Sequence, residues 1–274
     1  MPFPESNREI YERNPLTEVI CQLRFPTVLR ITADESALAE LQERLRGAYP
    51  IFREEAGRAA GIPAEVSQML GELPVQLRGE PTYAFDSEDG TRTITVGREF
   101  FSVIERSYRR WELLQNEIAL IKNAVEEIYS PSFYARIGLR YQDVIDREEL
   151  GLADRPWHEL VKPPMAGLLG SDSDVREAVT ELVCDAELVV SEVNGGSVRL
   201  RHGLATRGES ENKIFAMDAD FFTNERSDPD DVFKTLAIFN RCAGHYFRWS
   251  ITDALRDALG PSVVDDAQGD VAST

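Results

Sequence analysis

Thr17-Glu18-Val19-Ile20-Cys21-Gln22-Leu23-Arg24-Phe25 is a β-branched and aromatic run that stops at Pro26. A run of the same character, Phe133-Tyr134-Ala135-Arg136-Ile137-Gly138-Leu139-Arg140-Tyr141, opens the second half of the chain. Both read as strands. Each is followed by a helical stretch, antiparallel-looking strands and then a long amphipathic helix. The pattern predicts an α+β protein, with antiparallel sheets carrying long amphipathic helices on one face. Two pseudo-repeated β-α-β-β(-β)-α halves are one way to build it, and a single continuous antiparallel sheet is the other. The expected boundaries are an irregular N-terminal segment over 1–16, a first half over 17–131, a second over 132–260, and an acidic, disordered tail over 261–274.

Downstream of Pro26, Val28-Leu29-Arg30-Ile31 reads as a second short extended piece. Thr32-Ala33-Asp34-Glu35 has the capping-box form, a hydroxyl followed three residues later by a glutamate, and opens a helix with Leu38, Leu41, Leu45 and Ala48 on one face. Residues 51–79 carry little periodic signal and read as a variable connection, with a short helix over 64–73. Strands over 82–85 and 91–96 flank Ser87-Glu88-Asp89-Gly90, whose Asp-Gly pair suits a tight hairpin, and a third strand covers 100–106. The helix over 108–129 places Trp111, Leu114, Ile118, Ile121, Val125 and Ile128 at spacings of three and four, with Glu112, Asn116, Lys122, Asn123 and Glu126 opposite.

Ser130-Pro131 ends that helix, and a strand over 133–145 follows. Residues 147–170 read as short turns. Strands are expected at 176–193 and 197–206, joined by Asn194-Gly195-Gly196, and at 212–222. Asp228-Pro229 then caps a helix expected to run unbroken to Leu259 before Gly260-Pro261.

The chain has 274 residues with 42% hydrophobic and 9% aromatic content, enough to bury a sizeable core. Forty-eight acidic residues against thirty basic ones give a net charge of −18, which disfavours attraction to nucleic-acid phosphates and to anionic membranes. No secretory signal or membrane-spanning run is read. Cys21, Cys184 and Cys242 are scattered, odd in number and set in apolar runs, the pattern of reduced thiols in a cytoplasmic protein. Arg106, Arg109 and Arg110 surround Tyr108 and Trp111, and read as solvated arginines at a strand-to-helix corner.

The motifs of phosphate-binding loops, dinucleotide folds, nucleophile elbows and kinases are missing, and so are metal-binding spacings among His158, His202 and His245. No catalytic residue, metal ligand or cofactor is therefore assigned. Asp218 and Asp220, two apart in a strand, share one sheet face; they read as a solvated face, or else as a cation or acid–base pair. Arg136 and Arg140 share a face about 13–14 Å apart, with Gly138 leaving an opening between them. They either receive a carboxylate or phosphate from a ligand or pair with acids on neighbouring strands. The candidate ligand-binding residues are Arg136, Arg140, Tyr141 and Arg24.

Arg13-Asn14-Pro15-Leu16-Thr17-Glu18-Val19 with Gln22-Leu23-Arg24-Phe25-Pro26, and Arg136-Ile137-Gly138-Leu139-Arg140-Tyr141, together resemble two motif regions of a sporadically distributed prokaryotic family of conserved proteins of about this length and unassigned function. The aromatic run around Tyr108 and Trp111 is similar to that family as well. The chain departs from it at Gln142-Asp143, where the resemblance leads one to expect an apolar residue followed by asparagine. The patchy distribution implies an association with mobile or defence genes.

Three functional expectations follow. The lack of motif chemistry, the acidity and the frame favour a non-enzymatic protein-interaction module, antitoxin-like or immunity-like, whose partner is another protein or a second copy of itself. A small anionic-ligand or nucleotide sensor using Arg136 and Arg140 is the alternative. An enzyme with a dispersed acid–base site drawn from Glu18, His202, Asp218 and Asp220 is the third.

Overall fold

In the computed structural model, which describes residues 1–56, 81–206 and 212–263, the two opening runs lie side by side at the centre of one sheet. After a short β1 (Glu9–Tyr11), the first run forms β2 (Leu16–Arg24). Two helices follow, α1 (Arg30–Ala33) and α2 (Glu35–Leu45), and then β3 (Ile51–Ala56), β4 (Pro81–Asp86), β5 (Arg92–Gly97), β6 (Phe100–Glu105) and the long α3 (Trp111–Tyr129). The second run forms β7 (Arg136–Ile145). Helical turns including α4 (Pro163–Ala166) and α5 (Ser173–Glu177) lead to β8 (Val183–Val189), β9 (Gly196–Thr206) and β10 (Lys213–Thr223). The chain ends in α6 (Val232–Ser250), α7 (Asp253–Leu259) and β11 (Pro261–Val263).

Among the described residues the main sheet has nine strands in the order β3-β4-β5-β6-β2-β7-β10-β9-β8, every pair antiparallel. It is one continuous sheet, and β2 pairs with β7 through Cys21↔Leu139 and Leu23↔Ile137. Outward from that pair the order is similar on both sides. The strand preceding each long helix, β6 or β10, lies next to the strand that opens its half.

Side chains alternate across a strand, so β7 sends Ile137, Leu139, Tyr141, Asp143 and Ile145 to one face and Arg136, Gly138, Arg140, Gln142 and Val144 to the other. The helices pack on the first face. Phe221 of β10 meets Phe239 of α6 with ring centroids 6.2 Å apart, and Phe215 meets Trp157 at 5.6 Å. The amphipathic stripe of α3 is buried as its spacing predicts. Lys122 departs from its expected place on the polar face: its ammonium lies over the Phe233 ring of α6 and pairs with Glu126.

Other differences have local causes. The 28–31 piece is not extended, since Arg30–Ala33 closes into a helical turn that buries Ile31. The cap of α2 is Asp34, whose carboxylate accepts from the Ser36 and Ala37 amides, while the Thr32 hydroxyl turns back to the Leu29 carbonyl. Residues 51–56 form an edge strand where a connection was expected; the expected 64–73 helix lies outside the described residues. Asp228 makes no side-chain cap bond, and a 3-10 turn precedes α6. The last helix is interrupted at Ile251, whose extended backbone bridges to Val161, and Thr252 caps α7. The ends of the chain also have more structure than expected, because β1 pairs with β11 and Phe3 is buried against Tyr246 and Trp249. No described helix is long and apolar enough to cross a membrane.

Candidate functional site

Asp143 is the side chain that breaks the apolar alternation of β7. It points to the helix-covered face, is 6% exposed, and accepts no hydrogen bond and makes no ion pair among the described residues. It lies opposite an irregularity in β2, where the register slips between Leu16 and Glu18. Such bulges re-aim side chains and break pairing locally. Burial, reinforced by the negative Asp218 on the next strand, pushes the Asp143 carboxyl up to about 8, so it is largely protonated at neutral pH.

The carboxyl lines a cavity of about 410 Å3 between β7, the N-terminal segment, the corner before α3, and α6. Tyr141, one of the sequence-derived candidates, forms its aromatic wall with Tyr108, the two rings meeting edge-on at 6.0 Å. The Tyr141 hydroxyl donates to Asn240 Oδ1 at 2.9 Å, which leaves the Asn240 amide hydrogens without a partner among the described residues. Gly244 continues that face of α6 one turn on. Arg109, Arg110 and Arg241 line the same cavity, are exposed, and make no ion pair among the described residues, although acids outnumber bases in the chain.

The N-terminal segment is tied across this cavity. Ser6 donates its backbone N–H to His245 Nδ1 at 3.1 Å, and Asn14 donates to the Tyr108 carbonyl at 2.9 Å while accepting from the Leu16 amide. Glu9 receives both the Nε and an Nη of Arg256 at 2.9 and 2.7 Å. Partial burial opposes ionisation of Glu9, but its bonds to Arg256 and Tyr11 and the nearby Arg248 outweigh this and hold the carboxyl below its usual range. A carboxylate with a depressed folded-state pKa adds stability above the unfolded pKa and loses it on acidification. Glu9→Gln is expected to lower unfolding free energy by about 1–2 kcal/mol at pH 7. That deficit should disappear as the pH falls below the carboxylate range, which denaturant titrations at several pH values would measure.

The remaining sequence-derived residues lie elsewhere. Arg140 forms a two-pronged ion pair with Asp218, Nε–Oδ1 2.5 Å and Nη2–Oδ2 2.7 Å, on the face away from the helices. Arg136 pairs with Asp220 at 2.8 Å and lies over the Phe222 ring. A Cβ on Gly138 would fall 2.0 Å from the Arg136 guanidinium, so that side chain fills the expected opening. Arg106–Glu18 and the Arg199 and Arg201 contacts to Asp185 extend the same ladder of alternating charge. Arg24 is 3.5 Å from Glu99, and with Arg136 it lines a smaller cavity of about 250 Å3.

The acid–base candidates are split by the sheet. Glu18, Asp218 and Asp220 are on the ladder face; His202 is on the helix face, stacked on Phe215, and neither ring nitrogen has a partner among the described residues. Burial lowers its pKa to about 4, so the ring is neutral at pH 7. His202→Phe is expected to raise unfolding free energy by about 1–2 kcal/mol, as measured by chemical denaturation, because two orphaned polar atoms are removed at similar volume. Among the described residues no three His, Cys, Asp or Glu side chains converge to hold a metal ion.

Fold and site together define an α+β protein with a cavity between sheet and helix. Protein-family models and curated proteins yield no match to this chain.

Proposed function

We propose that this chain binds a small anionic molecule in the cavity over Asp143. The observation that carries the reading is the placement, at one wall, of a buried carboxyl and, around the same space, of three arginines, none of which has a partner among the described residues. An apolar residue in place of Asp143 would remove the cost of desolvating a carboxyl, so the sequence forgoes stability to keep this wall of the cavity polar. A protonated carboxyl donates and accepts without repelling an anion, and guanidiniums supply charge to hold one.

The reading keeps the ligand-sensor expectation and moves its anchor from Arg136 and Arg140, whose charge Asp220 and Asp218 satisfy, to Arg109, Arg110 and Arg241. Native mass spectrometry of the protein isolated from its host, beside an Asn240→Trp variant that fills the cavity, tests it. A bound anion in the wild type and an empty variant support it; an empty wild type that also shows no thermal shift with any member of a broad metabolite panel defeats it.

The interaction-module reading has its own support. Among the described residues β3 and β8 end the sheet, and both expose apolar side chains: Phe52 and Ile51 on β3, Val183 and Val189 on β8. Strand addition at β8 predicts a dimer or complex that Val189→Lys disrupts, read by light scattering on a sizing column.

A further inference from the structure

Resting on that reading, we infer that the ligand is a flat nitrogen heterocycle bearing an anionic group, of the nucleoside monophosphate class. Gly244 points to the flat ring. It sits near the middle of the 19-residue α6, where glycine is a poor helix former, yet a Cβ there would meet nothing within 4 Å. Packing within the protein therefore does not explain it. What the missing side chain does is bare a turn of helix backbone to the cavity that the rings of Tyr108 and Tyr141 also line. A cavity lined by bare helix backbone and by aromatic rings offers flat surfaces on which a planar group can stack.

The edge of that ring has partners in place. Asn240 has already given its carbonyl oxygen to Tyr141 and keeps its N–H donors for the cavity. Asp143 offers a carboxyl that no group among the described residues occupies. A ring with alternating nitrogen acceptors and exocyclic amino or carbonyl groups matches this pair, and a plain benzenoid ring would leave both unpaired. Arg109, Arg110 and Arg241 then receive the anionic substituent, which a nucleoside lacks.

Isothermal titration with adenosine, guanosine, cytidine and uridine 5′-monophosphates, the four nucleosides, ribose 5-phosphate and inorganic phosphate tests the assignment on the full chain. At least one monophosphate should bind, with its nucleoside and ribose 5-phosphate each at least tenfold weaker. Gly244→Ala should raise the melting temperature while weakening that monophosphate severalfold, and Gly244→Leu should abolish binding in a folded protein. Equal affinity for ribose 5-phosphate, or a non-cyclic anion found in the cavity by native mass spectrometry, would overturn the ring and leave the anion site standing. Unchanged affinity in Gly244→Leu would place the ligand elsewhere and overturn the stacking site. No binding by any compound, with nothing carried through purification, would defeat both this inference and the function beneath it.

Discussion

Asp143→Asn is expected to stabilise the protein by several kcal/mol at pH 8 and to remove part of its pH dependence. The carboxyl is pushed from 3.8 to about 8 by burial, with the negative Asp218 adding to it through the neighbouring strand. Because the folded-state value is raised, the folded protein keeps a proton that the unfolded chain releases. Stability is therefore full below the unfolded pKa and falls as the pH rises from about 4 to about 8. The shift corresponds to roughly 6 kcal/mol at its ceiling. Asparagine has nearly the same shape and never ionises, so it carries none of this cost. The groups whose titration responds to the Asp143 charge are Tyr141 on its own strand and Tyr246 on α6, and Asp218 on β10 acts on Asp143 itself. Urea titrations of both proteins between pH 4 and 9 measure the effect: the curves should converge near pH 4 and separate steadily above it. If they run parallel, Asp143 is not held neutral by the fold. Binding should report the same proton. Above about pH 8 the wild-type carboxylate repels an anion, so affinity should fall there in the wild type and stay flat in Asp143→Asn.

The position of residue 143 shows what was legible in the sequence and what was not. β-branched and aromatic content was enough to place β2 and β7, because a central strand must bury apolar side chains on at least one face. The stripe of α3 was equally readable. β3 was not, since Ile51-Phe52-Arg53-Glu54-Glu55-Ala56 is an edge strand whose charged residues hide the alternation. The break at Ile251 and the pairing of β1 with β11 depend on contacts about 90 and 250 residues away in sequence, which no local window contains. The cavity has the same character. It draws on four separate segments, and Arg109 and Arg110 look like any solvated pair until the fold sets them around one cavity with Arg241 of α6. Two signals were nevertheless present. Asp143 falls in phase with Ile137, Leu139, Tyr141 and Ile145, on a face that has to be buried. Gly244 interrupts an amphipathic helix that shows no other reason to contain glycine.

Arg140→Ala should be the most damaging single substitution on the opposite face, lowering unfolding free energy by about 3–5 kcal/mol. Asp218 is 4% exposed, and Arg140 meets both of its oxygens. Removing the guanidinium leaves a buried carboxylate whose remaining close neighbours are Asp220, of the same sign, and Arg201, whose own contact is with Asp185. The loss is a desolvation penalty and not the net worth of the pair, so the double replacement Arg140→Met/Asp218→Leu should regain most of it. Arg136→Ala should cost only about 1 kcal/mol, because Asp220 is partly exposed and water replaces its partner. Chemical denaturation of the four proteins separates this account from the one the sequence first invited, in which both arginines wait for a ligand. A ligand anchor can be removed with little loss of stability and a large loss of affinity. If Arg140→Ala behaves that way, the ladder is a binding surface whose acids stand in for an absent anion. If it unfolds the protein while the double variant keeps the affinity of the wild type, the charges on this face hold the sheet together, and recognition belongs to the cavity behind it.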